Sequence, residues 1–410
     1  MNTLIQPGAG AAVDELQALE ANITAARQRF IADLERLVNI DCGSYTKAGV
    51  DVVGGWTADF LRGLGASVEQ RPNDTLGDTV VATFEGGADA GPRVLLIGHL
   101  DTVFDEGTAA ARPFRIEGGR AYGPGVTDMK SGLLAGLYAI AALRAVLGEL
   151  PFGRLVYIAN PDEEIGSVSS SPHIREFAAE SDVCLVLECA RANGDIVSAR
   201  KGIVDLRLTV HGRAAHAGVE PEKGRNAIVE AARLTRDLDV LNGRWPGVTI
   251  NVGVVAGGTR PNVVPELCTL EVDVRATSRE QLEAAEAQIR ELTRATVVPD
   301  TSVEIAEMGR HWPMEKLDRS GRLVEHAQAV ARRLGFDVRD VATGGASDAN
   351  TTAGMGVPTI DGLGPIGGND HSPAEYLELD SIVPRTTLLA GLLLAIARDP
   401  VIARWRTMRS

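Results

Sequence analysis

The apolar positions along the chain change period in blocks. Leu16, Leu19, Ile23, Phe30, Leu34 and Leu37 fall on one helical face, so residues 13–38 read as an amphipathic helix, followed by another at 50–64. Short apolar runs at 79–84, 93–98, 154–160 and 183–187 read as buried strands. A nearly unbroken apolar helix at 131–147 separates the second run from the third, and a helical segment at 172–179 separates the third from the fourth. Strands alternating with helices in this way predict an α/β domain with a mixed, mainly parallel sheet flanked by helices. Its functional residues are expected at the carboxyl ends of the strands.

The pattern changes near Gly202. Residues 203–210 alternate as a strand, 221–241 read as a helix, 248–255 and 267–275 as strands, 279–297 as a helix and 302–308 as a strand. That β-α-β-β-α-β order is the ferredoxin-like split βαβ pattern. Residues 202–309 are therefore read as an inserted α+β domain, and 1–201 with 310–410 as one discontinuous domain around it. The α/β pattern resumes with a helix at 318–334, strands at 337–341 and 357–360, and a closing helix at 379–398.

Composition narrows the function classes. Among 410 residues, 41 basic side chains face 55 acidic ones, a net charge of −14 that argues against a nucleic-acid partner. A small anionic substrate stays possible, because a few Arg in a pocket act locally against the global field. No apolar stretch is read as long enough to span a bilayer, since Arg144 interrupts the 133–147 run, so no membrane partner is expected. Residues 1–13 are Gly/Ala-rich, with neither a basic start nor a long apolar core, and no secretory signal is expected there. Cys42, Cys184, Cys189 and Cys268 show no CxxC pairing and read as reduced thiols, which fits a cytoplasmic enzyme.

The candidate chemistry lies at the ends of the apolar runs. VLLIGHLDTV puts His99 and Asp101 just after a strand, two residues apart and hence on one side of extended backbone. His99 can ligate a metal while Asp101 orients it; a strand-end His and a turn Asp is the plainer alternative. GPGVTDMKSG places Asp128 in a Gly-rich turn ahead of the 131–147 helix, where, taken alone, an N-cap is the better reading. NPDEEIGS follows a buried strand with Asp162, Glu163 and Glu164, either a solvated acidic turn or a site in which Glu164 binds metal and Glu163 serves as base. Glu188 ends LVLE, where an acid after apolar residues is costly unless paired. GGNDHSPAEY places His371 in a turn. Together, His99, Asp128, Glu164, Glu188 and His371 read as a two-metal hydrolytic centre with Glu163 beside it. His173, His211, His311 and His326 read as surface or structural residues.

GHLDTV, GPGVTDMKSG, NPDEEIGS, LVLEC and NDHSPAEY resemble the dinuclear zinc exopeptidase family of glutamate carboxypeptidase, succinyl-diaminopimelate desuccinylase and aminoacylase. The resemblance spans nearly the whole chain after about residue 20 and is nearest the glutamate carboxypeptidase branch. It implies a zinc-peptidase-like catalytic domain with a lid and dimerisation insert, two divalent ions (Zn2+, with Co2+ or Mn2+ as alternatives), and a homodimer joined through the insert. It further implies that His99 and Glu188 hold one ion, Glu164 and His371 the other, and Asp128 both, with Asp101 supporting His99 and Glu163 as general base. GRAAHAG implies that His216 reaches a neighbouring subunit's site to stabilise an oxyanion. RPNVVP and VDVRAT imply that Asn262 and Arg275 grip a substrate carboxylate. GGASDAN, with Ser347 and Asp348, resembles a substrate loop of the family, and Arg310 is a candidate for a second substrate carboxylate; a plain loop and a solvated Arg are the alternatives. Lid closure would hinge near Gly202 and Met308.

The implied reaction is hydrolysis of an amide bond in a small carboxylate-bearing substrate, a peptide or an N-acyl amino acid. A deacylase or an aminoaromatic deaminase on the same metal site, an inactive binding homologue, and a structural interaction protein are the alternatives.

Overall fold

The computed structural model describes residues 14–86 and 91–408; the reading of residues 1–13 as lacking a secretory signal lies outside them. The chain forms two compact units: Met1–Ile196 with Arg319–Asp340 and Ile360–Ser410, and Val197–Asp318 with Val341–Thr359.

The first unit is built on a six-stranded sheet in the order Ser67–Arg71, Thr79–Glu85, Arg154–Asn160, Arg93–His99, Val183–Val186, Thr359–Ile360. Its middle is parallel, with His99 opposite Asn160 and Ile97 opposite Val186, and the first two strands run antiparallel. This register decides where the chemistry goes. Three strands end at one edge, so His99, the Asp162–Glu164 turn and Glu188 leave the sheet side by side. The strands form because their residues are apolar on both faces: Val94 to Ile97 and Leu155 to Ala159 are all buried.

Helices cover the sheet. Glu15–Val38 begins where the Asp14 carboxylate accepts the Leu16 N–H (3.1 Å) and turns Leu19, Ile23, Phe30, Leu34 and Leu37 into the core. Ser131–Leu147 and Ile382–Ala397 are apolar on nearly every side and mostly buried. Together with the turns ahead of them, these two helices span Val126–Leu147 and Leu379–Ala397, long and apolar enough to cross a membrane by length and composition. The expectation that no stretch reaches that length is corrected here. Arg144 sits near the end of its helix and does not shorten the apolar part, and both helices bury most of their surface inside the protein.

The second unit has a four-stranded antiparallel sheet in the order Thr249–Gly257, Leu267–Ala276, Gly202–His211, Ser302–His311. Strict alternation sends Val204, Leu206, Leu208 and Val210, and opposite them Cys268, Leu270, Val272 and Val274, to one face. Helices Ala227–Asp239 and Arg279–Arg294 cover that face with Ala231, Leu234, Leu238, Leu282, Ala285 and Ile289. This is the ferredoxin-like arrangement. The 221–241 helix begins late: Pro221–Lys223 is a separate short turn, and Asn226 caps the helix by accepting the Val229 N–H (3.1 Å).

Beyond the expected insert of 202–309, the second unit also contains Val341–Thr359. Side-chain hydrogen bonds explain why. Asn350 Nδ2 donates to the carbonyls of Lys201 (3.0 Å) and Trp312 (2.8 Å), and Arg200 donates to Gly345 O (3.1 Å).

Candidate metal centre

His99 closes the central strand and is 1% exposed. Its Nδ1 lies 3.0 Å from the Asp101 carbonyl oxygen and 3.3 Å from Asp101 Oδ1, which leaves Nε2 facing Asp128 Oδ1 (3.1 Å) and Glu188 Oε1 (3.7 Å). Asp128 turns its other oxygen, Oδ2, to His371 Nε2 at 3.1 Å, and His371 Nε2 lies 3.1 Å from Glu164 Oε2. Two triads result, His99–Asp128–Glu188 and Asp128–Glu164–His371, and within each the candidate ligand atoms lie within 4.8 Å of one another. The five residues singled out from sequence are thus brought together, with Asp128 shared. Its N-cap alternative fails, since no side chain caps the 131–147 helix and the Asp128 carboxylate points to the two imidazoles.

Asp101 is fully buried and does more than orient His99. Its Oδ2 accepts Ser44 Oγ–H (2.6 Å) and the Glu164 N–H (3.2 Å), and its Oδ1 accepts the Glu163 N–H (3.1 Å). One carboxylate therefore fixes both a candidate ligand and the turn bearing Glu163 and Glu164. Asp162, the first of the three acids, faces away from this work: it is buried and accepts Ser169 N–H and Ser170 Oγ–H, both at 2.5 Å, which close its own turn.

The charges explain what the cluster is suited to hold. Burial opposes a charged His99, but hydrogen bonds to Asp101 and Asp128 and the nearby Glu188 and Glu163 outweigh it and raise its pKa well above the usual value. Burial likewise disfavours ionised Asp128, yet His371 and His99 hold it well below the ordinary carboxylate range. Hydrogen bonds donated to the Asp128 and Glu164 carboxylates push His371 up to about 11. Burial raises Glu164, and its Oε1 is a buried oxygen with no hydrogen-bond partner. A crowded set of carboxylates with one orphaned buried oxygen is short of positive charge, and mixed His/carboxylate donors suit divalent transition ions. The residues fit a pair of such ions.

Sequence reasoning missed three buried groups around Asp128. Glu375 accepts the backbone N–H groups of Gly125, Thr127 and Asp128 at 2.8 to 3.1 Å. Lys130 donates to the carbonyls of Pro124 (3.1 Å) and Ile40 (3.4 Å). Ser44 supports Asp101 as described. Each looks in sequence like an ordinary loop residue; the one available signal is that Glu375 and Lys130 lie within the two motifs that also hold His371 and Asp128.

His216, Asn262 and Arg275 belong to the second unit. His216 is half of the short strand Ala215–His216, which pairs with Val263–Val264, and Ala217 N–H donates to the Asn262 carbonyl (3.0 Å). The guanidinium of Arg275 is already engaged by Asp273 (3.0 Å) and by Gly344 O (3.1 Å). Arg310 is not a solvated side chain: it pairs with Glu286 (2.7 Å) and Glu307 (2.6 Å) and lies over Trp312. Ser347 caps the helix Asp348–Gly354 in a reciprocal arrangement with Asn350, a structural use of the Gly-rich loop.

The sequence pattern of Peptidase family M20/M25/M40 matches residues 95–395. The chain belongs to this family. Carboxypeptidase G2 of a Pseudomonas species is 32% identical over 370 residues, 89% of this chain and 88% of that protein. A succinyl-diaminopimelate desuccinylase of Cereibacter sphaeroides is 30% identical over 315 residues, 72% of this chain and 81% of that protein. In fold the chain is similar to the crystal structure of aminopeptidase PepT from Bacillus cereus, with a TM-score of 0.75 at 24% identity over 91% of this chain and 99% of that one. As a member of the M20 family, the chain is a metal-dependent hydrolase of the metallopeptidase and amidohydrolase type. The readings as an inactive homologue or a purely structural protein are set aside.

Proposed function

We propose that this M20 hydrolase is a zinc enzyme that releases a C-terminal or N-acylated amino acid, with glutamate carboxypeptidase-like specificity. The observation that supports it best is the pair of triads sharing Asp128 with Glu163 on the turn that Asp101 fixes, together with the likeness to Carboxypeptidase G2. His99 and Glu188 would hold one ion, Glu164 and His371 the other, and Asp128 both. Bound there, the ions supply Lewis acidity and a water acidic enough to deprotonate near neutral pH.

The chain's own groups do the rest. Glu163 takes the proton of the attacking water and returns it to the departing amine. Asp101 keeps Glu163 in register with His99, because it holds the imidazole and both N–H groups of the turn. His216 would donate to the developing oxyanion, and Asn262 and Arg275 would take the substrate carboxylate, with the substrate replacing Asp273 on the Arg275 fork.

The Thr249–Gly257 strand supports a homodimer through the second unit. It is the edge of its sheet, apolar, and exposed at Val254 and Val255.

A panel of N-acyl- and folyl-glutamates, succinylated and acetylated amino acids, and aminoaromatics, assayed on zinc-loaded protein, tests the specificity. Glutamate release with the highest kcat/KM is expected. A clear preference for succinylated or acetylated amines favours the deacylase reading, which the desuccinylase likeness supports, and ammonia release from an aminoaromatic would overturn both.

A further inference from the structure

The shared position of Asp128 is set by a segment in which Val126 N–H donates to Gly123 O (3.2 Å) and Lys130 N–H to Gly125 O (3.1 Å), while the N–H groups of Thr127 and Asp128 turn elsewhere. Within Val126–Lys130 the backbone leaves the helical region at Asp128 (φ −110°, ψ 94°) and Met129 (φ −126°, ψ 34°). Such a buried loop must place its N–H groups somewhere. Three of them converge on one side chain: Glu375 Oε2 accepts Gly125 N–H (2.9 Å), and Oε1 accepts Thr127 N–H (2.8 Å) and Asp128 N–H (3.1 Å). Glu375 is 1% exposed, and a carboxylate so buried is stable only when its lone pairs are filled in this way.

Glu375 comes from the same turn as His371. Ser372 N–H donates to Asn369 O and Glu375 N–H to Ser372 O, both at 3.2 Å. The turn's other hydrogen bonds mostly close it on itself, from Asn369 Nδ2 to Ala374 O (3.2 Å), Ser372 Oγ to Asn369 O (2.7 Å) and Ala374 N–H to Ser372 Oγ (3.2 Å), and Arg112 reaches it with a longer one to Ser372 O (3.4 Å). His371 and Asn369 both have left-handed backbone (φ 60° and 58°), and the His371 side chain is more than half exposed. The two triads are therefore unequal. His99 and Glu188 stand at the ends of central strands and are buried, so the first triad keeps two sheet-anchored ligands whatever happens to Asp128. The second keeps only Glu164; its other two ligands sit on a turn and a loop that Glu375 joins.

We propose that Glu375 is a positioning residue that ties the His371 turn to the Asp128 segment, and that the affinity of the Asp128–Glu164–His371 site depends on it far more than that of the His99–Asp128–Glu188 site. This rests on the two-metal reading above. Glu375→Gln keeps size and one good acceptor but presents an NH2 group to one of the backbone N–H donors. It leaves every ligand side chain in place.

The test is a titration of metal-free wild-type and E375Q protein with Co2+ alone, followed by calorimetry and by the visible spectrum of the bound ion. Wild type is expected to take up two ions. In E375Q one site is expected to weaken by about 10- to 100-fold, the range seen when partners behind metal ligands are lost, while the other stays near its wild-type affinity. Equal weakening of both sites would mean a general structural role and would overturn the proposal, as would two wild-type affinities. Should E375Q fail to fold, Glu375→Asp, which keeps the charge but shortens the reach, is expected to show the same one-site loss. A wild-type protein that binds fewer than two ions would overturn the two-metal reading itself, an outcome separate from any E375Q result.

Discussion

At the scale of single residues, the site divides the labour among carboxylates by what surrounds each one. Asp162 is buried and satisfied by its own turn, Glu164 is half-buried with its Oε1 buried and unfilled, and Glu163 is half-buried with its N–H held by Asp101. Three neighbours in sequence therefore have three different surroundings, because successive side chains of a short turn point in different directions. Asp162 and Glu163 are both outside the two triads, and because the Asp162 carboxylate is taken up by its own turn, Glu163 is the one proposed as base. Glu163→Gln should bind metal as wild type does and lower kcat by about 100- to 10,000-fold, the usual worth of a general base. Metal content and steady-state rates measured on the same sample decide it: near-normal turnover in the metal-replete variant would remove Glu163 from the mechanism. His99, Asp128, Glu164, Glu188 and His371 were legible in sequence because a polar group closing an apolar strand or a Gly-rich turn needs a reason to be there. Ser44, Lys130 and Glu375 were not legible, because their partners are backbone atoms or distant residues, and no local pattern records a hydrogen bond donated by residue 128 to residue 375.

At the scale of elements, the packing of helix Ser131–Leu147 on the sheet fixes Glu188. Gly132 faces the strand end so closely that a Cβ there would lie 1.8 Å from the Leu187 carbonyl oxygen, one residue before Glu188. The close approach is a matter of space, since nothing but hydrogen fits. Gly132→Ala is expected to destabilise the protein by about 1–3 kcal/mol, the cost of overpacking a tight contact. Gly63→Ala, at the end of helix Lys47–Gly63 with open space around it, should be neutral or stabilising by up to about 1 kcal/mol. Urea unfolding of the two variants checks the contrast, and equal midpoints would refute the packing argument. The helices and strands themselves were mostly readable from periodicity. The differences are of two kinds: Pro221–Lys223 closes a short turn of its own through local bonds, Lys223 N–H to Glu220 O (3.1 Å) and Gly224 N–H to Pro221 O (3.0 Å), and 341–359 is drawn into the second unit by side-chain bonds.

At the scale of the whole molecule, the strand Thr249–Gly257 ends the sheet of the second unit, with no further strand beside it among the described residues. Sheets protect such edges with charge, proline or a partner strand; Thr249–Gly257 has neither charge nor proline, and Val254 and Val255 are about half exposed. A partner strand from a second copy is the simplest cover. The wild-type protein should sediment as a dimer, and replacing Val254 and Val255 with Lys should shift it toward monomer while the four-stranded sheet survives by circular dichroism. A wild-type protein that stays monomeric at micromolar concentration would sink the dimer proposal.

The sequence by itself determined the two kinds of sheet, the elements that build them and the five side chains of the candidate metal centre. Those properties are local: burial period, strand-end polarity and glycine-rich turns are written in neighbouring residues. Only the tertiary structure decided that Asp128 is shared between two triads, that Asp101 holds both an imidazole and the base-bearing turn, and that Glu375 anchors the segment between them. These depend on strand register and on hydrogen bonds between residues far apart in the chain, which exist only once the parallel strands have brought their carboxyl ends to one edge.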